Sequence, residues 1–141
     1  MTDPVRLAYA DRQYALPELD ALTSGMASML EQRGVRSGDR VALMSSNRPE
    51  FVFAMRACWR LGAAVVLLSP AWKRTEVEHA LALTEPSHAV GDHPVLAEVM
   101  PMLHLDEPVA PGDREFARPT LINLRNCKYW PICVAPMQSP P

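Results

Sequence analysis

Arg60-Leu61-Gly62-Ala63-Ala64-Val65-Val66-Leu67-Leu68-Ser69-Pro70 decides how this chain folds. Six aliphatic residues in succession, 63–68, follow a glycine and are stopped by Ser-Pro. A β-branched and aliphatic run with no polar alternation is the pattern of a strand covered on both faces. Such a strand belongs to a parallel sheet with helices above and below, so its neighbours in sequence should alternate helix and strand. Just upstream, residues 49–61 place Phe51, Val52, Phe53, Met55, Cys58, Trp59 and Leu61 almost all round a helix, which predicts substantial burial. Asn47 is expected to cap that helix, Pro49 and Glu50 fall in its first turn, and Gly62 ends it. Before it, Arg40-Val41-Ala42-Leu43-Met44 reads as a strand that starts from the Ser37-Gly38-Asp39 turn.

The same alternation extends both ways. At the start, Val5-Arg6-Leu7-Ala8-Tyr9-Ala10 and Gln13-Tyr14-Ala15-Leu16 alternate apolar and polar about an Asp11-Arg12 turn, predicting a β-hairpin. Pro17 then suits a helix start, with Glu18 and Asp20 at the positive end of the helix dipole. Leu19, Leu22, Met26, Met29 and Leu30 recur at helical spacing up to a stop at Gly34, with Gly25 a local weak point. Downstream, Thr75-Glu76-Val77-Glu78 fits a capping box for a helix ended by Pro86. Residues 88–91 and 102–105 read as short strands, and 94–100 as a short helix. Links too long for hairpins imply right-handed βαβ units. The expected fold is therefore α/β over residues 5–105, in three layers, with residues 41–44 and 65–68 in a parallel sheet. Phe51, Met55, Trp59, Val66 and Leu68 form its expected core.

After about Pro108 periodicity is lost and prolines crowd the chain. The division falls at 1–118, an ordered segment, and 119–141, an irregular Pro- and Cys-containing tail, expected to pack loosely because it offers little to offset its ordering entropy.

With 141 residues the chain has room for one domain with a real core, but it is short for a nucleotide-dependent enzyme with two substrates. Lys+Arg number 14 and Asp+Glu 16, for a net charge of −2, and no basic stripe interleaves with aromatics, so nucleic acid is not an expected partner. No run approaches the roughly 20 apolar residues of a membrane span, and the N-terminus carries no secretory pattern, which places the chain in the cytoplasm. Cys58, Cys127 and Cys133 are odd in number and lack Cys-x-x-Cys spacing, so neither a disulfide framework nor a zinc site is expected. His79, His88, His93 and His104 lack metal-ligand spacing and read as surface or hydrogen-bonded residues. The six glycines never cluster into a phosphate-cradling loop. No residue stands out as catalytic, cofactor-binding or metal-ligating.

Four stretches in order resemble the opening of the adenylate-forming superfamily, the AMP-dependent synthetases and ligases that include acyl-CoA synthetases. Ala15-Leu16-Pro17-Glu18-Leu19 is similar to its Thr-Tyr-x-Glu-Leu helix opening, with Ala15 and Leu16 in place of Thr and Tyr. Gly34-Val35-Arg36-Ser37-Gly38-Asp39-Arg40-Val41-Ala42-Leu43 resembles its Gly-Val-x-x-Gly-Asp-x-Val-Ala pattern. Asn47-Arg48-Pro49-Glu50-Phe51 is similar to its Asn-x-x-Glu-Phe cap, and 60–70 to its Leu-Gly-Ala buried strand. Their residues have structural work as turns, caps and core, and each motif alone would suit any α/β domain.

The resemblance implies activation of a carboxylic acid, such as a fatty acid, with ATP and Mg²⁺ to an acyl-adenylate, then transfer to coenzyme A. It also implies a Ser/Thr/Gly-rich phosphate loop and a catalytic lysine, and neither Lys73 nor Lys128 lies in such a setting. The expectation is an N-terminal piece of such a ligase, inactive alone, with a tail from about Pro119 that reads as a shifted frame. Arg40, Arg48, Lys73 and Arg74 are scattered cations able to attract a nucleotide only non-specifically. The alternatives are a stand-alone α/β interaction module, which would self-associate through an incomplete sheet edge or apolar face, and a small enzyme of unrelated chemistry.

Overall fold

The computed structural model describes residues 6–113 and 133–134. The chain opens with the expected hairpin, in which β1 (Arg6–Tyr9) pairs antiparallel with β2 (Arg12–Ala15). The turn falls at Ala10-Asp11, one residue earlier than the sequence places it, and Ala10 takes φ 50°. Two-residue hairpin loops need a left-handed residue to match the strand twist, a demand that apolar alternation does not register. Helix α1 (Leu16–Gln32) follows with Pro17 in its first turn.

The main body then alternates as predicted: β3 (Arg40–Met44), α2 (Pro49–Arg60), β4 (Ala64–Leu67), α3 (Arg74–Thr84), β5 (His88–Gly91), α4 (Pro94–Val99) and β6 (Leu103–His104). The spatial order is β6-β5-β3-β4, all parallel, with Val41 opposite both Val65 and His88. Side chains alternate across the pleat, so β3 serves two layers at once. Val41 and Leu43 pack with α1 and α2, whereas Ala42 and Met44 pack with α3 and α4. Val41, Ala42, Val65 and Val66 are 0% exposed, the double-sided burial the aliphatic run implies. Gly62 ends α2 at φ 77°, a left-handed turn that leads into β4.

Three further local expectations are corrected. Helix α2 is not buried all round: Phe53, Ala54, Ala57 and Cys58 form its buried stripe, while Phe51, Met55 and Trp59 are only partly buried. One layer of sheet covers one face of a helix, and the flank nearest solvent keeps its large residues half covered. The cap of α2 is Arg48 rather than Asn47, and it makes no side-chain capping bond, because its guanidinium is drawn to carboxylates across the sheet. At α3 the cap is Lys73, whose N–H donates to the Glu76 carboxylate at 2.7 Å, and Thr75 lies inside the helix. Gly25, the weak point of α1 in helix propensity, is buried. A Cβ there would run into the Ala110 carbonyl, because residues 109–112 cross α1 at this point and Gly112 N–H donates to the Ala21 carbonyl at 2.9 Å.

Of the 119–141 tail, Cys133 and Val134 form β7, antiparallel to β4 with Val65 opposite Val134. No strand is expected there from sequence, since pairing to an open edge uses backbone groups and needs no apolar periodicity. The remainder of the tail, with its expected looseness, lies outside the described residues.

The helices are joined by polar contacts as well as apolar ones. Asp20 on α1 accepts from Arg56 at 2.7 Å and Arg60 at 2.9 Å on α2, and Arg60 also donates to the Ser24 hydroxyl at 2.8 Å. The Tyr14 ring meets Phe53 edge-on, with centroids 5.5 Å apart, tying the hairpin to α2.

Candidate functional site

In a parallel sheet the loops leaving the C-terminal strand ends open a crevice wherever adjacent strands send their helices to opposite faces. Here β3 leads to α2 on one face, while β4 and β5 lead to α3 and α4 on the other. The exits of β3 therefore diverge from those of both neighbours, and there are two crevices.

The crevice between β3 and β5 is filled by charge. Asp92, just past β5, accepts from the backbone N–H of Ser46 at 2.9 Å and from its hydroxyl. Arg48 reaches Glu50 at 2.9 Å, Asp106 at 2.8 Å and Asp92 at 3.4 Å, and also donates to the Leu105 carbonyl at 3.3 Å. The Glu50 hydrogen bond outweighs partial burial and holds the Arg48 guanidinium further above its ordinary pKa. Burial pushes the Asp92 carboxyl up, but the two Ser46 bonds and Arg48 outweigh it and leave the group below its usual value. This cluster knits the ends of β3, β5 and β6, and its cation is already neutralised.

The crevice between β3 and β4 is a half-open groove of about 560 Å³. Its β3 side is Ser45, Ser46, Asn47 and Phe51. Across it stand Leu67 and Leu68 and the turn of Ser69, Pro70 and Trp72. That turn is fixed by Trp72 N–H to the Ser69 carbonyl at 3.0 Å and Ala71 N–H to the Ser69 hydroxyl at 3.3 Å. Among the described residues no ionisable side chain lines the groove.

The cations singled out from sequence do not converge. Arg40 begins β3 and so lies at the opposite end of the sheet from Arg48. Arg74 pairs with Glu78 at 2.8 Å and Glu98 at 3.4 Å, and Lys73 is exposed at the start of α3. Each histidine except the exposed His79 has a local role: His88 Nε2 lies 3.2 Å from the Arg33 carbonyl, and His93 and His104 accept from the N–H of Val95 and Asp106. Cys58 is a core residue, and burial pushes its thiol up to about 12. Cys133 lies in β7, and Cys127 is outside the described residues.

Among the described residues no three His, Cys, Asp or Glu gather into a metal site. Asp92, Asp106 and Glu50 are committed to Arg48, so this rim does not fit a magnesium nucleotide. Sequence reasoning missed the β3/β4 crevice. Its signal was the pair of turn clusters, Ser45-Ser46-Asn47 and Ser69-Pro70, each directly after a predicted parallel strand.

A family model described as AMP-binding enzyme matches residues 2–123. The 2-succinylbenzoate–CoA ligase of Bacillus subtilis (strain 168) is 40% identical over 65 residues, which is 46% of this chain and 13% of that protein. A medium-chain fatty-acid–CoA ligase of Escherichia coli (strain K12) is 32% identical over 77 residues, 52% of this chain and 14% of that protein. The structure of o-succinylbenzoate coenzyme A synthetase from Bacillus subtilis, in complex with ATP and magnesium ion, is similar with a TM-score of 0.72 and 27% identity. It matches over 82% of this chain and 33% of that one. The chain thus corresponds to a small part of the length of the relatives it matches.

Proposed function

We propose, from the premise that this chain belongs to the AMP-binding enzyme family, that it supplies the opening α/β segment of an acid–thiol ligase and does not form an acyl-adenylate by itself. The reaction it would serve joins a carboxylic acid to the α-phosphate of ATP, releasing pyrophosphate, and then passes the acyl group to the thiol of coenzyme A. The observation that carries this reading is the agreement of the fold, at a TM-score of 0.72 over 82% of the chain, with a coenzyme A synthetase. Fatty acids and 2-succinylbenzoate are the substrates to consider, because relatives named for each match the same stretch. The cytoplasm is the proposed location, and among the described residues no helix is long and apolar enough to cross a membrane.

Inactivity alone follows from the electrostatics of adenylation. The step brings a carboxylate against a polyphosphate, so it depends on preorganised N–H donors and cations at the phosphates. In this sequence the glycines do not cluster, Arg48 is neutralised by three carboxylates, and Arg74 by two. The test is carboxylate-dependent exchange of labelled pyrophosphate into ATP, with fatty acids of several lengths and with 2-succinylbenzoate. The expected rate is that of the buffer blank. Turnover above the blank, in material free of any longer ligase, would overturn the proposal.

A further inference from the structure

We propose that the crevice between β3 and β4 is a binding site for a small, uncharged molecule with a flat aromatic body and a single hydrogen-bonding group. Three features support it. The first is position: of the two crevices that topology opens beside β3, one is closed by the Ser46–Asp92–Arg48 cluster, and the other is left as a half-open groove of about 560 Å³. That volume lies within the range of about 300–1,000 Å³ typical of small-molecule sites.

The second is chemistry. Phe51 on the β3 side and Trp72 on the β4 side bring aromatic rings to the lining beside Leu67 and Leu68, and among the described residues no lining side chain is ionisable. No described lining side chain supplies a counter-charge to an ionic ligand, whereas an uncharged ring needs none. An aromatic ring would gain both area burial and ring packing. The Asn47 amide and the Ser69 hydroxyl can donate to a phenol or carbonyl oxygen, and the Ser45 hydroxyl, whose proton goes to the Ser46 carbonyl, can accept from a phenol.

The third is rigidity. Ser45 Oγ donates to the Ser46 carbonyl at 2.8 Å, the 69–72 turn is held by its own bonds, and Leu68 N–H donates to the Leu43 carbonyl at 2.9 Å. A preformed wall avoids part of the ordering cost of binding. The site stands independently of the ligase reading, and its test does not measure turnover.

The test is titration of the ¹⁵N-labelled full chain with 2-naphthol, followed by amide and indole N–H shifts, with 2-naphthalenesulfonate as the charged control. The expected result is saturable, one-site shifting of the Trp72 indole and of the amides at 45–47 and 67–69. Affinity for the sulfonate should be about tenfold lower or worse. Asn47→Trp, at an exposed position, should obstruct the mouth and abolish saturation while leaving the rest of the spectrum in place. Trp72→Ala should weaken binding through loss of one wall, and it serves as the second variant if Asn47→Trp misfolds. Absent or scattered shifts, or equal binding of the sulfonate, would overturn the proposal. Shifts at these residues that follow protein concentration, with slowed diffusion, would also overturn it and assign the crevice to a second copy of the chain.

Discussion

Gly25 shows how a single residue can be misjudged when its neighbours in space are unknown. Within a helix, glycine costs about 1 kcal/mol relative to alanine, so helix propensity alone predicts that Gly25→Ala stabilises. The crossing of 109–112 reverses the sign, because a Cβ would strike the Ala110 carbonyl and push the segment off α1. Gly25→Ala is expected to destabilise by about 1–3 kcal/mol, read from the urea midpoint; a gain in stability would show that the segment does not pack there. Asp92 offers a second test with a defined pH signature. Its folded-state pKa is lowered, so the stabilisation it provides is present above the unfolded value of about 3.9 and is lost as pH falls through the folded value. Asp92→Asn should therefore cost about 1–3 kcal/mol at pH 7, with the difference from the parent chain shrinking below about pH 4. A cost that stays constant with pH would remove the charge from the explanation. The type and approximate place of these residues were visible in sequence, but their partners, for Asp92 the residues Ser46 and Arg48 at 46 and 44 positions away, were not.

Helix α2 shows what periodicity can and cannot assign. Its boundaries agree with the sequence reading to within a residue, since Pro49 and Gly62 are local signals. Its orientation does not follow from those signals, because apolar residues lie nearly all round and any of several faces could be turned to the sheet. The sheet took the face of Phe53, Ala54, Ala57 and Cys58, whose small residues allow close approach, and left Phe51 beside the β3/β4 crevice. This choice is testable by comparison of two similar truncations. Phe53→Ala should cost about 3–5 kcal/mol, as a buried ring contacting Tyr14 is lost, and Phe51→Ala about 1–2 kcal/mol. Equal costs in chemical denaturation would place both rings in the core.

For the molecule as a whole, Cys58 reports how the layers hold together. Its thiol is 0% exposed and is pushed up to about 12, so at pH 8 it should resist iodoacetamide in the native chain and react only when the α1–α2 layer opens from the sheet. Peptide mass spectrometry of Cys58 against denaturant should therefore track global unfolding, and rapid native labelling would contradict the packed core. The order of strands and helices was determined by sequence alone, because each signal acts within a few residues: the 63–68 aliphatic run, the Gly62 stop, the Ser-Pro break after β4. The family resemblance drew on the same local signals, with four turn, cap and strand stretches standing in order. Only the tertiary structure decided which face of α2 is buried, why Gly25 must be glycine, and that Cys133–Val134 returns to pair with β4. It also decided that one crevice beside β3 is closed by Arg48 and Asp92 while the other is left open by the described residues. The reason is physical: each of these depends on groups far apart in sequence meeting at distances of a few ångströms, and on the burial and charge neutralisation that exist only once the layers have come together.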